Sequence, residues 1–208
     1  MEVIYSKIKD KIRRKLYDVL LSRYGYGNRV SKSTWNIQFE EGFWDYLYSK
    51  EEEAHYEQIV AFKNLHHPDG KILDVGCGQG VLYHYLKKEL ETISYLGIDI
   101  ADNAVKNAKL VHGTDSFVQL DFERQKLDEK FDVIIFNETL YYFNNPLRKL
   151  SSTIKNNLNA DGIVIISMCD YKGHDKIWEK ISGKYNPLCI KEISNLKGQA
   201  WVVGLFKP

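Results

Sequence analysis

Hydrophobic positions along this chain keep a helical spacing for some 65 residues and then break into short apolar runs separated by helical stretches. Ile4, Ile8, Ile12, Leu16 and Leu20 fall four apart with Lys and Arg between them. That spacing predicts a basic amphipathic helix ending near Ser22. Gly25 and Gly27 then break the chain. Ser33 or Thr34 is placed to cap a second helix carrying Trp35, Phe39, Phe43, Trp44, Leu47 and Tyr48, a set of rings that is either core or a lid over a pocket. A third helix is expected over 51–65, with Ile59, Val60, Phe62 and Leu65 on its apolar face. His66-His67-Pro68-Asp69-Gly70 is a turn that stops it.

From residue 72 the period alternates. Ile72, Leu73 and Val75 form a strand-type run, Gly76, Gly78 and Gly80 interrupt it, and Val81, Leu82, Tyr85 and Leu86 return at helical spacing. The same order repeats downstream. Strands are expected over Tyr95–Ile100, Ser116–Leu120, Phe131–Asn137 and Ile163–Met168, the last entered from the Asp161-Gly162 turn. Helices are expected over Ala104–Leu110, over Pro146–Leu158 with its start set by Asn144 or Asn145, and around Lys176–Ile181. Most of these strands are apolar on both faces, as in a parallel sheet covered by helices. Two final runs, Leu188–Ile193 and Trp201–Phe206, leave no room between them for a crossover helix, so they read as an antiparallel hairpin at the sheet edge. The expected fold is a doubly wound α/β sheet, seven-stranded and mostly parallel. Its expected division is an N-terminal helical lid or appendage over 1–66 and a main domain over 67–208.

Charge changes this picture only at the N-terminus. The 208 residues carry a net charge of +1, but residues 1–30 hold eight Lys or Arg against three acids. The basic helix is expected to pack on the domain or on a second subunit, so that the chain is a monomer or homodimer, or to rest on an anionic surface. No global field or basic groove points to nucleic acid. The longest apolar run, Ile163–Ile166, is far too short to span a membrane, and the N-terminus lacks the pattern of a signal peptide, so a cytoplasmic location is expected. Cys77, Cys169 and Cys189 form no CxxC pair and no ligand cluster. They are expected to be reduced, without a metal site.

Ligands of open parallel sheets bind beyond the carboxyl ends of the strands. Those ends here are the glycines after the first strand, Asp99 after the second, Asp121 after the third and Asn137-Glu138 after the fourth. Asp99 follows Gly80 by 19 residues (99 − 80), where a carboxylate can accept from both hydroxyls of a ribose, although it can also serve as a helix cap. Asp121 is placed to accept from an adenine amino group while Phe122 packs on the ring, or it is a plain surface turn. Val81 stands where a dinucleotide fold would have its third glycine, and no Lys-Ser/Thr follows as a P-loop requires.

These residues resemble the class I S-adenosylmethionine-dependent methyltransferases. Ile-Leu-Asp-Val-Gly-Cys-Gly-Gln-Gly at 72–80 is similar to that family's first motif, Gly-Ile-Asp-Ile at 97–100 to its acidic second, and Leu-Asp-Phe at 120–122 to its third. Phe131–Phe143 and Asp161–Ser167 resemble the next motif and the strand after it. The resemblance covers roughly residues 70–206 and implies S-adenosylmethionine as cofactor. It implies that the loop Gly76, Cys77, Gly78 to Gly80 holds the methionine part, Asp99 the ribose, Ile100 one adenine face, and Asp121 with Phe122 the adenine edge. Asn137 would meet the methionine end through its backbone, and Asp74 would accept from the ammonium. Glu138-Thr139 stand where relatives that methylate amino-adenine or glutamine carry two prolines, a departure that weakens the case for nucleic acid.

Methyl transfer to a hydroxyl requires removal of a proton, whereas an amine need only be neutral. Glu138 and His174 are candidate bases. Tyr141 and Tyr142 are candidate walls of the acceptor pocket, unless they are helix-packing aromatics and His174 an ordinary loop histidine. The expected function is O- or N-methylation of a small organic acceptor, such as a saccharide or natural-product intermediate. The alternative expectations are a cofactor-binding module that acts as partner or regulator, and a nicotinamide-dependent dehydrogenase.

Overall fold

The structure is a computed structural model that describes residues 2–89 and 93–208. Seven strands form a single sheet: β1 (Ile72–Val75), β2 (Tyr95–Asp99), β3 (Phe117–Gln119), β4 (Phe131–Asn137), β5 (Leu158–Cys169), β6 (Pro187–Ser194) and β7 (Ala200–Phe206). Their order is β3-β2-β1-β4-β5-β7-β6, with the first five parallel and β7 antiparallel to both β5 and β6. This is the doubly wound sheet and edge hairpin that the spacing predicts. The strand order reverses beside β1, which brings the carboxyl ends of β1 and β4 together at the switch point.

Helices α3 (Glu53–His66), α4 (Val81–Glu89) and α5 (Asp102–His112) cover one face, and α6 (Pro146–Asn157) and α7 (His174–Ser182) the other. Asn145 caps α6 by accepting from the Arg148 N–H, with Pro146 at the first turn. Strand residues alternate between the two helical layers. Ile72, Val133, Ile135 and Ile165 join one apolar cluster, and Leu73, Ile134, Val164 and Ile166 the other.

The N-terminal region departs from expectation in two places, besides Leu65, which is exposed rather than on the buried face of α3. Helix α1 (Glu2–Val19) ends earlier than Ser22, and its apolar stripe does not pack on the domain: Ile8, Ile12, Leu16 and Leu20 are all exposed. The side chain of Ile4 lies outside the described residues. The opposite side of α1 is the one that docks. Tyr17 is buried and donates to the Lys172 carbonyl at 2.6 Å, and Arg13 donates to the Gly27 carbonyl at 2.8 Å. An i, i+4 stripe therefore identified the helix but not its inner face.

The second difference lies in the aromatic segment. The cap is Ser31, two or three residues before the expected position, and α2 (Lys32–Glu40) stops where Gly42 takes a φ of 69°. Phe43 and Trp44 lie in the turn that follows, and a separate 3₁₀ turn over Asp45–Tyr48 carries Tyr46, Leu47 and Tyr48. Smaller shifts follow the same logic of local caps and pairing: β5 begins at Leu158 rather than Ile163, and α7 at His174 rather than Lys176.

Candidate active site

A cavity of about 510 Å³ opens over the carboxyl ends of β1, β2 and β4. The turn after β1 builds its floor. Gly76, Gly78 and Gly80 all have positive φ, and a Cβ on Gly76 would lie 2.1 Å from Thr139 Oγ1. Only glycine fits that contact. The turn leads into α4, and its N–H groups hold it to the sheet: Gly76 and Cys77 donate to the Ile98 carbonyl at 2.7 and 3.1 Å, and Gly80 to the Cys77 carbonyl at 3.0 Å.

Asp99, at the end of β2, accepts from the Gly78 N–H at 3.0 Å through Oδ2 and from the Ala101 N–H at 2.8 Å through Oδ1. Burial pushes its carboxyl up to about 6, against these hydrogen bonds, which pull it down. Asp74, in β1, accepts from the Tyr95 hydroxyl at 2.6 Å, and burial raises it to about 7. Both carboxyls line the cavity, as do Cys77 and Ile100.

Asp121 and Phe122 also line it, but each has a protein partner already. Arg29 donates to both carboxylate oxygens of Asp121, at 3.0 and 2.7 Å. Lys149 Nζ stands 3.3 Å from the centroid of the Phe122 ring, covering one of its faces. At the end of β4, Asn137 has its side-chain Oδ1 buried without a hydrogen-bond partner.

Glu138 follows it with a φ of 53°, the one non-glycine positive φ among the described residues. Such a backbone costs ~1–3 kcal/mol and persists where surrounding structure imposes it. Tyr141 donates to Glu138 Oε2 at 3.0 Å, while Oε1 is buried without a partner at hydrogen-bond geometry. Burial raises the Glu138 carboxyl to about 7, with Cys169 and Tyr141 opposing. Tyr142 lines the cavity beside it. His174 does not: it stacks behind Tyr141, ring centroids 4.1 Å apart, with Nδ1 2.8 Å from the Cys169 carbonyl. Gly80 likewise lies outside the lining and packs against His112 and Phe117.

The aromatic segment forms the roof. Trp35, Phe39 and Trp44 line the cavity, and Trp35 meets Tyr142 edge to face at 4.8 Å. Tyr48 donates to the Gln79 carbonyl at 2.9 Å, and the Gln79 amide donates to the Trp44 carbonyl at 3.2 Å, pinning the roof to the glycine turn. Sequence reasoning missed Arg29, Glu52, Gln79, Gln199 and Trp201, all of which line the cavity. Glu52 and Trp201 carried no local motif. Gln79 was legible only as part of the glycine turn.

Residues 66–201 match the model of a methyltransferase domain. The chain belongs to the class I S-adenosylmethionine-dependent methyltransferases. Malonyl-[acyl-carrier protein] O-methyltransferase of Bacillus cereus is 31% identical over 111 residues, which are 52% of this chain and 40% of that protein. Ubiquinone biosynthesis O-methyltransferase of Escherichia coli is 31% identical over 125 residues, 55% of this chain and 49% of that one. The chain thus spans less than half the length of these curated relatives. Among solved structures, the N-methyltransferase NodS of Bradyrhizobium japonicum, in complex with S-adenosyl-L-homocysteine, superposes with a TM-score of 0.65 at 14% identity, covering 83% of this chain and 97% of that one. That likeness concerns the methyltransferase fold. The family's cofactor is S-adenosylmethionine. The observed site suits it, with a close-packed turn in which Gly76 leaves no room for a Cβ and an orphaned Asn137 oxygen beside it. Among the described residues no helix is long and apolar enough to cross a membrane, and no group of three His, Cys, Asp or Glu could hold a metal.

Proposed function

We propose that this methyltransferase transfers a methyl group to a nitrogen or oxygen of a small organic acceptor, with Glu138 as the group that takes up the proton. The observation that carries this reading is the continuity of the cavity, which runs from the glycine turn and Asp99 at one end to Glu138, Tyr142 and Trp201 at the other. One continuous space thus serves cofactor and acceptor together. S-adenosylmethionine supplies a methyl group activated on a positively charged sulfur.

In this reading the Gly76–Gly80 turn and Asp74 hold the methionine end, Asn137 assists them, and Asp99 holds the ribose. Ile100 and Phe122 flank the adenine. Asp121, whose two oxygens Arg29 occupies, shapes that end of the site through the ion pair. The roof of Trp35, Phe39 and Trp44 excludes water and aligns the acceptor. Alignment of two reactants in this way can supply up to ~7–11 kcal/mol of the barrier. Tyr141 orients Glu138, and Tyr142 walls the acceptor. His174 supports Tyr141 from behind and is a positioning residue.

The relatives and neighbours act, by their names, on an acyl-carrier-bound malonyl group, on a ubiquinone intermediate and at nitrogen, which supports a small organic acceptor without choosing among them. Release of S-adenosylhomocysteine should be measured across a panel of hydroxyl, amine and carboxyl acceptors, together with cofactor binding by calorimetry. The expected result is cofactor binding, turnover on part of the panel, and a Glu138→Gln variant that binds cofactor but turns over at least ~100-fold slower. Cofactor binding with no turnover on any acceptor would favour a binding module instead.

A further inference from the structure

We infer that the acceptor is a small amine, received as its ammonium form between Glu138 and Glu52 within a wall of aromatic rings. This rests on the methyl-transfer reading above and names its substrate class. The far end of the cavity is lined by Tyr46, Glu52, Tyr56, Glu138, Tyr142 and Trp201. These residues come from the 3₁₀ turn, the residue before α3, α3 itself, the end of β4, the turn after it, and β7. Two carboxyl groups and four aromatic rings make an environment that attracts a cation through charge and through the ring faces.

Three observations give this set its direction. Among the described residues Arg29 is the one Lys or Arg in the cavity wall, and it is committed to Asp121 and Glu123 at the opposite, adenine end. Among the described residues no basic side chain of the wall is left to receive a carboxylate or a phosphate. Next, Glu138 Oε1 is buried with no partner at hydrogen-bond geometry and only Cys169 beside the carboxyl to support it, in a side chain set by a strained backbone. An orphaned buried carboxyl oxygen is costly, and a donor entering the cavity relieves that cost. Finally, Glu52 is only 4% exposed, with Gln199 as its hydrogen-bonding neighbour, and it raises the Glu138 carboxyl through space. Both acids also raise the Tyr46 hydroxyl, so the turn carrying Tyr46 faces the same pair.

The chemistry balances with these groups alone. The ammonium gives one proton to the Glu138 carboxylate and becomes a neutral amine with a free lone pair. That pair forms the new C–N bond as the methyl carbon's bond to sulfur breaks, and the sulfur keeps the electron pair. The methylated nitrogen then carries the positive charge, and Glu138 returns its proton to solvent. A hydroxyl acceptor would gain no charge attraction from Glu52. A carboxylate acceptor would be repelled by both acids.

The test is calorimetric titration of the full chain loaded with S-adenosylhomocysteine. The probes are two matched series: 2-phenylethylamine, 2-phenylethanol and phenylacetate, and cyclohexylmethylamine, cyclohexylmethanol and cyclohexanecarboxylate. The amine should bind at least ~10-fold tighter than its alcohol in at least one series, and the acid weakest. Glu138→Gln, and separately Glu52→Gln, should weaken the amine by at least ~10-fold with S-adenosylhomocysteine binding retained. Alcohol or acid binding as tightly as the amine in both series, no amine binding at all, or amine affinity unchanged in both variants would overturn the inference. Failure of the chain to bind S-adenosylhomocysteine would overturn the methyl-transfer reading as well, which separates the two.

Discussion

Arg29 grips Asp121 through both carboxylate oxygens, at 3.0 and 2.7 Å, across 92 residues of sequence. The pair ties the strap after α1 to the end of β3, and the Asn28 N–H, donating to the Tyr141 carbonyl at 2.9 Å, ties the same strap to the far end of the cavity. With side chains 20% and 19% exposed, the pair sits between the regime of surface ion pairs and that of buried ones. A double-mutant cycle of Arg29→Met and Asp121→Asn, read by urea unfolding, should give a coupling energy of about 1–2 kcal/mol. A coupling near zero would show the strap to be held without it. Arg29→Met should also weaken S-adenosylhomocysteine binding in calorimetry, because Asp121 is then released into the adenine end of the cavity.

The glycine turn separates two effects that are usually mixed. Gly76 has a φ of 77° and no room for a Cβ, whereas Gly78 has a φ of 54° and only the Phe39 ring at 3.6 Å. Gly78→Ala should therefore cost about 1–2 kcal/mol, the left-handed backbone penalty alone. Gly76→Ala should cost more, because the Thr139 side chain must also move. Adding Thr139→Gly should recover the steric part and leave the backbone part. Thermal unfolding of the three proteins checks the order, and equal losses in the two single variants would refute the steric argument.

Much of this architecture was legible in the residues because the signals were local. The run Ile72–Val75, the glycines after it and the helical spacing from Val81 specify strand, turn and helix without help from the rest of the chain. The edge hairpin was legible for the same reason, since residues 194–200 are too few to cross over. What was not legible depends on partners distant in sequence. Whether Asp121 faces ligand or protein is decided by Arg29. Whether α1 buries its isoleucines is decided by Asp10, Arg13 and Tyr17, which find partners on the strap, on α2 and near α7. Glu52 reaches the cavity only because α3 packs against β5 and β7. His174 looked like a site residue from its position after β5, but the fold turns it behind Tyr141.

Asp10 shows how α1 controls the roof. Its carboxylate accepts from the Ser31 N–H at 3.2 and 3.1 Å, from Ser31 Oγ at 2.7 Å and from Thr34 Oγ1 at 2.7 Å. Ser31 in turn caps α2, accepting from the Thr34 N–H at 3.3 Å. Asp10→Ala removes the acceptor for three donors at the helix start, a loss of about 1–2 kcal/mol. Amide hydrogen exchange should accelerate across 32–40 while β1 stays protected. If exchange in α2 were unchanged, Ser31 alone would suffice as cap.

The cavity carboxyls make stability depend on pH in a direction opposite to that of ordinary ion-paired acids. Asp74 and Glu138 are raised to about 7 and Asp99 to about 6 by burial, against roughly 4 for carboxyls in an unfolded chain. Between roughly pH 4 and 7 the folded state keeps protons that the unfolded state has released, so stability falls as pH rises through that window. Above it the penalty is complete. Of the groups facing Glu138, burial holds Tyr46, Tyr141, Tyr142 and the Cys169 thiol in their neutral forms below pH 8, while Glu52, itself raised, adds to the same trend. Histidines oppose this trend, since burial holds His55 down to about 3 and also lowers His84, His112 and His174, so urea unfolding of the ligand-free protein at pH 5 and pH 8 is read as the difference between parent and variant. From pH 5 to pH 8 the stability of Glu138→Gln should change more favourably than the parent's, by on the order of 2–3 kcal/mol, since one of the buried protons no longer has to leave. A variant that tracks the parent at both pH values would mean that Glu138 ionises as an exposed carboxyl does, and the buried-base reading of the site would fall with it.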